Sequence, residues 1–266
     1  MIEDFFEMSS SPFARDIPTN ELYDASIYQE VQSRLEYAAD KQLFAILTAD
    51  VGCGKTTAIR RFTDLLDKSK YTLLYVVDSK LTPRWFYKGL LEQLGVEAKF
   101  YRGDAKRQLH KELEVIRGVH RKKVVCIVDE AHLLDKETLE EIRFLLNYQM
   151  DSMSPMALIL AGQNELWDKL KLQKYSAIRQ RLDIKCELPQ LDRSQVGEYV
   201  KRHMDYTGCS HEVFTEKAID EIYRYSAGSP RAVNKLCIHC LLYAAQRARK
   251  LIDDHMVKDV IQGELP

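Results

Sequence analysis

The sequence predicts a doubly wound α/β protein with a parallel sheet, followed by a small domain made only of helices. Apolar runs of strand length alternate with helical patterns between residues 41 and 190. The runs at 124–128 and 156–161 are continuously apolar, which indicates burial on both faces, as in a parallel sheet. After Pro189 the strand patterns stop, and only helical patterns with capping residues follow.

Each element has its own local signal. Strands are predicted from apolar runs at 43–47, 71–78, 124–128, 156–161 and 182–188. Helices are predicted from their periodicity at 21–39, after residue 56, at 85–94, at 105–118 and from Asp135 to about Tyr148. Four more follow the start signals Asp192, Thr215, Ser229-Pro230 and Asp253. We therefore expect an N-terminal arm and helix at 1–40, an α/β core at 41–190 and a helical domain at 191–266.

Composition excludes several classes of protein. The 266 residues are 45% hydrophobic and 30% charged, with a net charge of −1, so the chain reads as a globular protein without a general affinity for nucleic acid. Any DNA contact must come from a local basic patch. Six cysteines form no compact disulfide framework, the N-terminus has no signal-peptide pattern, and no apolar stretch has membrane-spanning length. We expect a cytoplasmic protein without a membrane partner.

The stretch 49–56 has the pattern of a phosphate-binding loop between a strand and a helix. Glycines allow a tight turn that aims backbone N–H groups at phosphate oxygens, the lysine reaches the β- and γ-phosphates, and the threonine hydroxyl binds Mg²⁺. Ala49 stands where the pattern has its first glycine, which is tolerable unless that position needs a positive φ. The alternative is a chance Gly-Lys-Thr in a βα turn. The predicted nucleotide-binding residues are Asp50, Val51, Gly52, Cys53, Gly54, Lys55, Thr56 and Thr57.

Two carboxylates follow the apolar run 124–128. Asp129 is predicted to hold Mg²⁺ through water, and Glu130 to polarise the attacking water. The alternative is an acidic strand end that caps the next helix. His132 completes an Asp-Glu-Ala-His sequence, but no other helicase motif is present, so we interpret it as a solvent-facing or packing histidine.

Polar residues at three later points are further candidates. Gln163 and Asn164 follow a strand and compete for the role of sensing the γ-phosphate, unless they only form a turn. Arg179 and Arg181 end a helix, where the dipole favours cations, or one of them is an arginine finger for a neighbouring subunit's ATP; Arg181 is slightly favoured. Arg231 lies in the first turn of a helix, an unfavourable place for a cation that a phosphate partner would explain.

The order of these motifs resembles the AAA+ ATPases of the ExeA/TnsC-like group, which includes the secretion ATPase ExeA and the transposition helpers TnsC, TniB and MuB. The resemblance spans about residues 8–262 and includes Ser11-Pro12-Phe13 and Leu22-Tyr23 near the start. It implies a P-loop ATPase with a parallel sheet of order 5-1-4-3-2, a helical lid, and Mg²⁺-dependent ATP hydrolysis between adjacent subunits of a homo-oligomer, either a ring or a helical filament.

The resemblance also bears on biological role. Secretion members carry a membrane segment and a peptidoglycan-binding region after the ATPase, and this sequence runs to Pro266 with neither. That favours the stand-alone transposition regulators, which polymerise on double-stranded DNA in the ATP state and recruit a DDE-type transposase. The alternatives are an ATPase that remodels or assembles a protein partner, such as a secretion complex, and a simple monomeric nucleotide switch.

A local basic patch can be found directly in the sequence. Residues 99–123 hold nine basic and three acidic side chains, a net +6. If these side chains line a filament bore, each phosphate contact adds affinity without sequence preference. The alternative is a solvated helix face. The predicted DNA-binding residues are Lys99, Arg102, Lys106 and Arg107.

Overall fold

The computed structural model of the protein describes residues 2–77, 82–146 and 154–263. The chain divides into two compact units. The first comprises Met1–Ser26, Asp50–Gly54 and Pro189–Pro266, and the second comprises Ile27–Ala49 and Lys55–Leu188. Among the described residues, no helix combines the length and the apolar character needed to cross a membrane.

The second unit is built on a five-stranded sheet. Its strands are β1 Phe44–Ala49, β2 Tyr71–Val76, β3 Lys123–Val128, β4 Ala157–Gly162 and β5 Ile184–Leu188. All pairs are parallel, in the order β2-β3-β4-β1-β5, so the order expected from the resemblance is confirmed. Every residue of β1 and β4 is buried, as continuous apolar runs predict. Strand β2 ends at Val76, so the predicted extension over Val77 is not observed, and Asp78 lies outside the described residues.

Helices cover this sheet. They are α2 Ser26–Lys41, α3 Lys55–Leu65, α4 Pro83–Gln93, α5 Arg102–Gly118, α6 Lys136–Leu146, α7 Glu165–Lys171 and α8 Ser176–Arg179, preceded in the first unit by the short α1 Ile2–Phe6. Helix α2 begins five residues later than predicted, because residues 21–24 are engaged within the first unit: Glu21 pairs with Arg202, and the Tyr23 hydroxyl donates to Glu198. The predicted end of α6 near Tyr148 lies outside the described residues.

The first unit is helical, as predicted for the C-terminal region. It contains α9 Arg193–Tyr206, α10 Glu216–Ser226, α11 Pro230–Gln246 and α12 Asp254–Gly263. Asp192 and Gln195 form the predicted capping box, Thr215 accepts the Ala218 N–H, and Asp253 accepts the Met256 N–H. The N-terminal arm is anchored on this unit, because Phe13 is buried and its ring stacks on His203.

Candidate nucleotide-binding site

The loop that follows β1 has the geometry that its glycines predict. Gly52 and Gly54 have φ of +83° and +86°, a region in which side chains other than glycine are strained. A Cβ at Gly52 would lie 2.7 Å from Ser229 Oγ and 3.0 Å from Arg231 Cβ. The Cys53 N–H donates to the Asp50 carbonyl at 3.2 Å and closes the turn. Ala49, the last residue of β1, has no positive φ, so alanine at the first glycine position introduces no strain.

Lys55 begins α3 and lies between two carboxylates. Its side chain is 10% exposed, and Nζ lies 3.5 Å from Asp129 Oδ1 and 3.3 Å from Glu130 Oε1. Strand β3 delivers both acids at its carboxyl end, where Asp129 is buried and Glu130 is partly exposed. One ammonium against two carboxylates leaves a net charge of −1, which suits a divalent cation. Thr56 and Thr57, in the first turn of α3, are exposed.

Tyr75 belongs to the candidate site, although no local pattern in the sequence indicates it. Its hydroxyl, on the neighbouring strand β2, donates to Asp129 Oδ2 at 2.9 Å. Burial, and then the charge of Asp129, raise the pKa of Tyr75, so the hydroxyl remains a protonated donor. The other carboxylate oxygen, Oδ1, accepts the Glu130 N–H at 2.8 Å. A polar side chain near the end of β2 can be assigned to this site only when β2 is known to lie beside β3.

Glu130 is held in an uncommon backbone conformation. Its φ of +50° is in the left-handed region, which costs about 1–3 kcal/mol for a residue other than glycine unless the surroundings compensate. The bond from its own N–H to the Asp129 carboxylate supplies part of that compensation. The strained turn directs the Glu130 carboxylate toward Lys55, where Oε1 and Nζ are in ion-pair range.

His132 is not solvent-facing, because its side chain is only 9% exposed. Nδ1 lies 3.4 Å from Glu130 Oε2 and accepts the Gln163 N–H at the same distance of 3.4 Å. Lys169 donates to the carbonyls of His132 and Leu134 and holds this turn. The histidine therefore connects Glu130 with the residue that follows β4.

Gln163 and Asn164 follow β4, which lies between β3 and β1 in the sheet. Gln163 is half-buried, and its backbone N–H donates to Nδ1 of His132, the ring nitrogen that also lies near Glu130. Asn164 precedes α7, and its carbonyl accepts the N–H groups of Trp167 and Asp168. The sensing role of either side chain stays a prediction.

The three predicted arginines differ in their surroundings. Arg231 is exposed on the first turn of α11, and its N–H donates to the Gly52 carbonyl at 3.2 Å, so it lies beside the phosphate loop within the first unit. Arg179 donates to the carbonyls of Leu170 and Lys171 at 3.3 and 2.6 Å and thereby caps the end of α7. The guanidinium of Arg179 thus has a structural use within its own chain. Arg181 is partly exposed after α8.

Three of the four predicted DNA-binding residues form ion pairs. Arg102 pairs with Glu137 at 2.7 Å, Lys106 with Glu141 at 2.7 Å, and Arg107 with Asp104. Burial acts to raise the pKa of Glu141, but hydrogen bonds from Lys106 and Tyr87 hold it below its ordinary value. Lys99 is exposed in the loop before α5. The basic character of α5 is therefore partly neutralised by α6.

A glycine turn leading into Lys55 and Thr56, with two carboxylates at the end of an inner strand, defines a P-loop nucleotide-binding protein. The AAA domain family matches residues 38–170, half of the chain. The protein therefore belongs to the AAA+ ATPases.

One curated relative and two solved structures are similar to this chain. General secretion pathway protein A of Aeromonas hydrophila is 30% identical over 254 residues, covering 93% of this chain but only 45% of that protein, so the chain spans less than half of its length. The structure of Drosophila ORC bound to DNA has a TM-score of 0.73 at 17% identity, over 98% of this chain and 65% of that one. The Aeropyrum pernix ORC2 protein, in ADPNP-ADP complexes, has a TM-score of 0.70 at 14% identity, over 96% and 72% of the two chains. These two structures share the fold.

Proposed function

We propose that the protein is an ATP-hydrolysing regulator that binds double-stranded DNA without sequence preference and controls DNA transposition in the cytoplasm. The observation that carries the ATPase part is the contact of Lys55 with both Asp129 and Glu130 at the carboxyl end of β3. Buried carboxylate, exposed hydroxyl and lysine are the donor set that a magnesium nucleotide requires.

Each residue of this set has a task that follows from its chemistry. The N–H groups of residues 50–54 and the Lys55 ammonium bind phosphate oxygens, and Thr56 and Asp129 hold Mg²⁺. When bound, Mg²⁺ supplies charge neutralisation on the phosphates. Phosphate competes with the carboxylates for Lys55, which leaves the Glu130 carboxylate free to accept a proton from water. Tyr75 keeps Asp129 in place through its hydroxyl.

Two variants separate binding from hydrolysis. Lys55→Ala should abolish ATP binding, measured with a fluorescent nucleotide, and unchanged affinity would remove the site assignment. Glu130→Gln should bind ATP with near-normal affinity and release no phosphate. Normal turnover by Glu130→Gln would exclude Glu130 from the mechanism.

DNA binding is supported by the net charge of +6 on residues 99–123 and by the fold shared with an ORC whose structure is bound to DNA. Of the four predicted contacts, Lys99 carries most weight, because the other three cations are paired. Assembly is proposed as a ring or filament in which an arginine after α7 reaches the ATP of the next subunit, with Arg181 slightly favoured over Arg179 as the sequence predicts. Recruitment of a DDE-type transposase rests on the sequence resemblance.

Electron microscopy with linear double-stranded DNA tests this role, in a slowly hydrolysed ATP analogue and in ADP. Rings or filaments on DNA only with the analogue are the expected result. The isolated Arg181→Ala subunit should still bind nucleotide but should neither assemble nor hydrolyse ATP, and Arg179→Ala is the comparison variant. Association with DNA in neither state, at low salt, would refute the DNA role.

One observation favours a second candidate. The 30% identity with general secretion pathway protein A supports an ATPase that remodels or assembles a protein partner, such as a secretion complex. The same microscopy separates the two candidates, because this alternative predicts nucleotide-dependent assembly that is the same with and without DNA.

A further inference from the structure

A cluster of exposed aromatic rings and cations joins the start of α4 to the start of α5. We call it the aromatic–basic cluster: Arg84, Trp85, Lys88, Phe100 and Tyr101. Its three rings are 49%, 66% and 70% exposed, in chain order. The Arg84 guanidinium lies 4.1 Å from the Phe100 ring centroid and 5.9 Å from that of Trp85, and Lys88 Nζ lies 4.6 Å above Trp85. Phe100 and Tyr101 meet edge to face at 5.3 Å.

The loop that presents Phe100 and Tyr101 is anchored at its base. The Gln108 side chain on α5 donates to the Glu97 carbonyl at 2.9 Å and accepts the Lys99 N–H at 3.0 Å. Leu94, Val96 and Ala98 pack on the core of the unit. The rings therefore project from a fixed support. Three large rings that are about half or more exposed on a fixed support form an apolar surface of the kind that marks an interaction site.

We infer that the aromatic–basic cluster binds DNA by stacking on unpaired bases; the inference rests on the proposed DNA-binding function. Base faces stack on aromatic rings, and cations beside those rings contact the phosphates. Lys88 also pairs with Glu92, whereas Arg84 forms no ion pair with any residue that the structure describes. The Arg84 guanidinium beside the Phe100 ring is therefore the cation that we expect to contact phosphate. A fully paired duplex hides its base faces, so the cluster favours DNA with an opened or mismatched step.

Tryptophan fluorescence gives a direct readout, because the chain has only Trp85 and Trp167. Trp167→Phe leaves Trp85 as the only tryptophan. Two labelled DNAs are compared with an ATP analogue present: a paired duplex and the same duplex with a central four-nucleotide mismatch bubble. Anisotropy of the label measures binding, and Trp85 emission measures stacking. We expect tighter binding to the bubble, with Trp85 emission quenched.

Substitutions then test the individual rings. Phe100→Ala and Tyr101→Ala should each weaken bubble binding by about 5-fold or more, the low end for a stacked base, and change paired-duplex binding little. Tyr37→Ala is the matched control, because Tyr37 is 54% exposed on α2, outside the cluster, and should have no effect.

The outcomes distinguish this inference from the proposed function. Equal binding of both DNAs with unchanged Trp85 emission would overturn the inference and leave DNA binding intact. No binding of either DNA would overturn both. A change of Trp85 emission that depends on protein concentration without DNA would make the cluster a contact between copies of this chain, which also overturns the inference.

Discussion

Replacing Tyr75 with phenylalanine would remove one hydroxyl from the candidate nucleotide-binding site and leave the ring in place. That hydroxyl donates to Asp129 Oδ2 at 2.9 Å, and Asp129 is only 4% exposed. A hydrogen bond to a charged, buried group contributes about 1.5–3 kcal/mol. If the bond serves to hold Asp129 in its catalytic orientation, kcat for ATP hydrolysis should fall about 10- to 100-fold. Tyr75 acts through Asp129 and is a positioning residue.

The assay measures phosphate release against ATP and Mg²⁺ concentration. ATP affinity should change by no more than about 3-fold, because Lys55 and the loop amides are retained, and the Mg²⁺ requirement should rise. Tyr71→Phe is the matched control. Tyr71 is the first residue of the same strand, four residues or about 13 Å from Tyr75, and its substitution should leave kcat unchanged.

Two results would refute the reasoning about Tyr75. Unchanged kcat and Mg²⁺ dependence would mean that the hydroxyl does not hold Asp129. A parallel loss of ATP affinity, kcat and melting temperature would mean that the residue supports only the fold.

Three further predictions concern the structure. Gly228→Ala should destabilise the protein by about 2 kcal/mol or more in denaturant unfolding, because φ is +80° and the new Cβ would lie 1.9 Å from the Leu191 carbonyl oxygen. The control Gly103→Ala, in open space on α5, should be neutral or stabilise the protein by up to about 1 kcal/mol. Equal effects of the two substitutions would contradict this prediction. Hydrogen bonds from Lys106 and Tyr87 lower the pKa of Glu141 in the folded state, so the stability that they contribute is present above pH 4.5 and is lost as the pH falls through the pKa of the folded state. Glu141→Gln should therefore reduce the free energy of unfolding by about 1–2 kcal/mol at neutral pH and by less in acid. A reduction that does not change with pH would count against this explanation. All six cysteines are buried, and burial raises the pKa of Cys186 to about 11 and that of Cys126 to about 12. A thiol-reactive disulfide reagent should therefore label the six thiols quickly only after the protein is unfolded. Rapid labelling of any cysteine in the native protein would contradict this prediction.

Local signals made much of the fold predictable from the sequence. The buried strands β1 and β4 could be predicted because a continuously apolar run by itself indicates burial on both faces of a sheet. Helix starts at Asp192, Thr215 and Asp253 were predicted because a cap bonds only to residues two or three positions ahead. The loop at 49–56 was predicted for the same reason, since its turn needs only its own glycines.

Side-chain partners far apart in sequence were decided by tertiary structure alone. Tyr75 and Asp129 meet because β2 pairs with β3, and His132 faces Glu130 because the turn after β3 packs against the end of β4. Arg179 is turned to the end of α7, and Lys106 to Glu141 on α6. The sequence by itself determined which elements form and where the predicted phosphate-binding loop turns, because apolar runs, helix caps and glycine turns act within a few residues. Which charges remain available to a ligand depended on strand order and helix packing, which bring together groups that no local pattern relates.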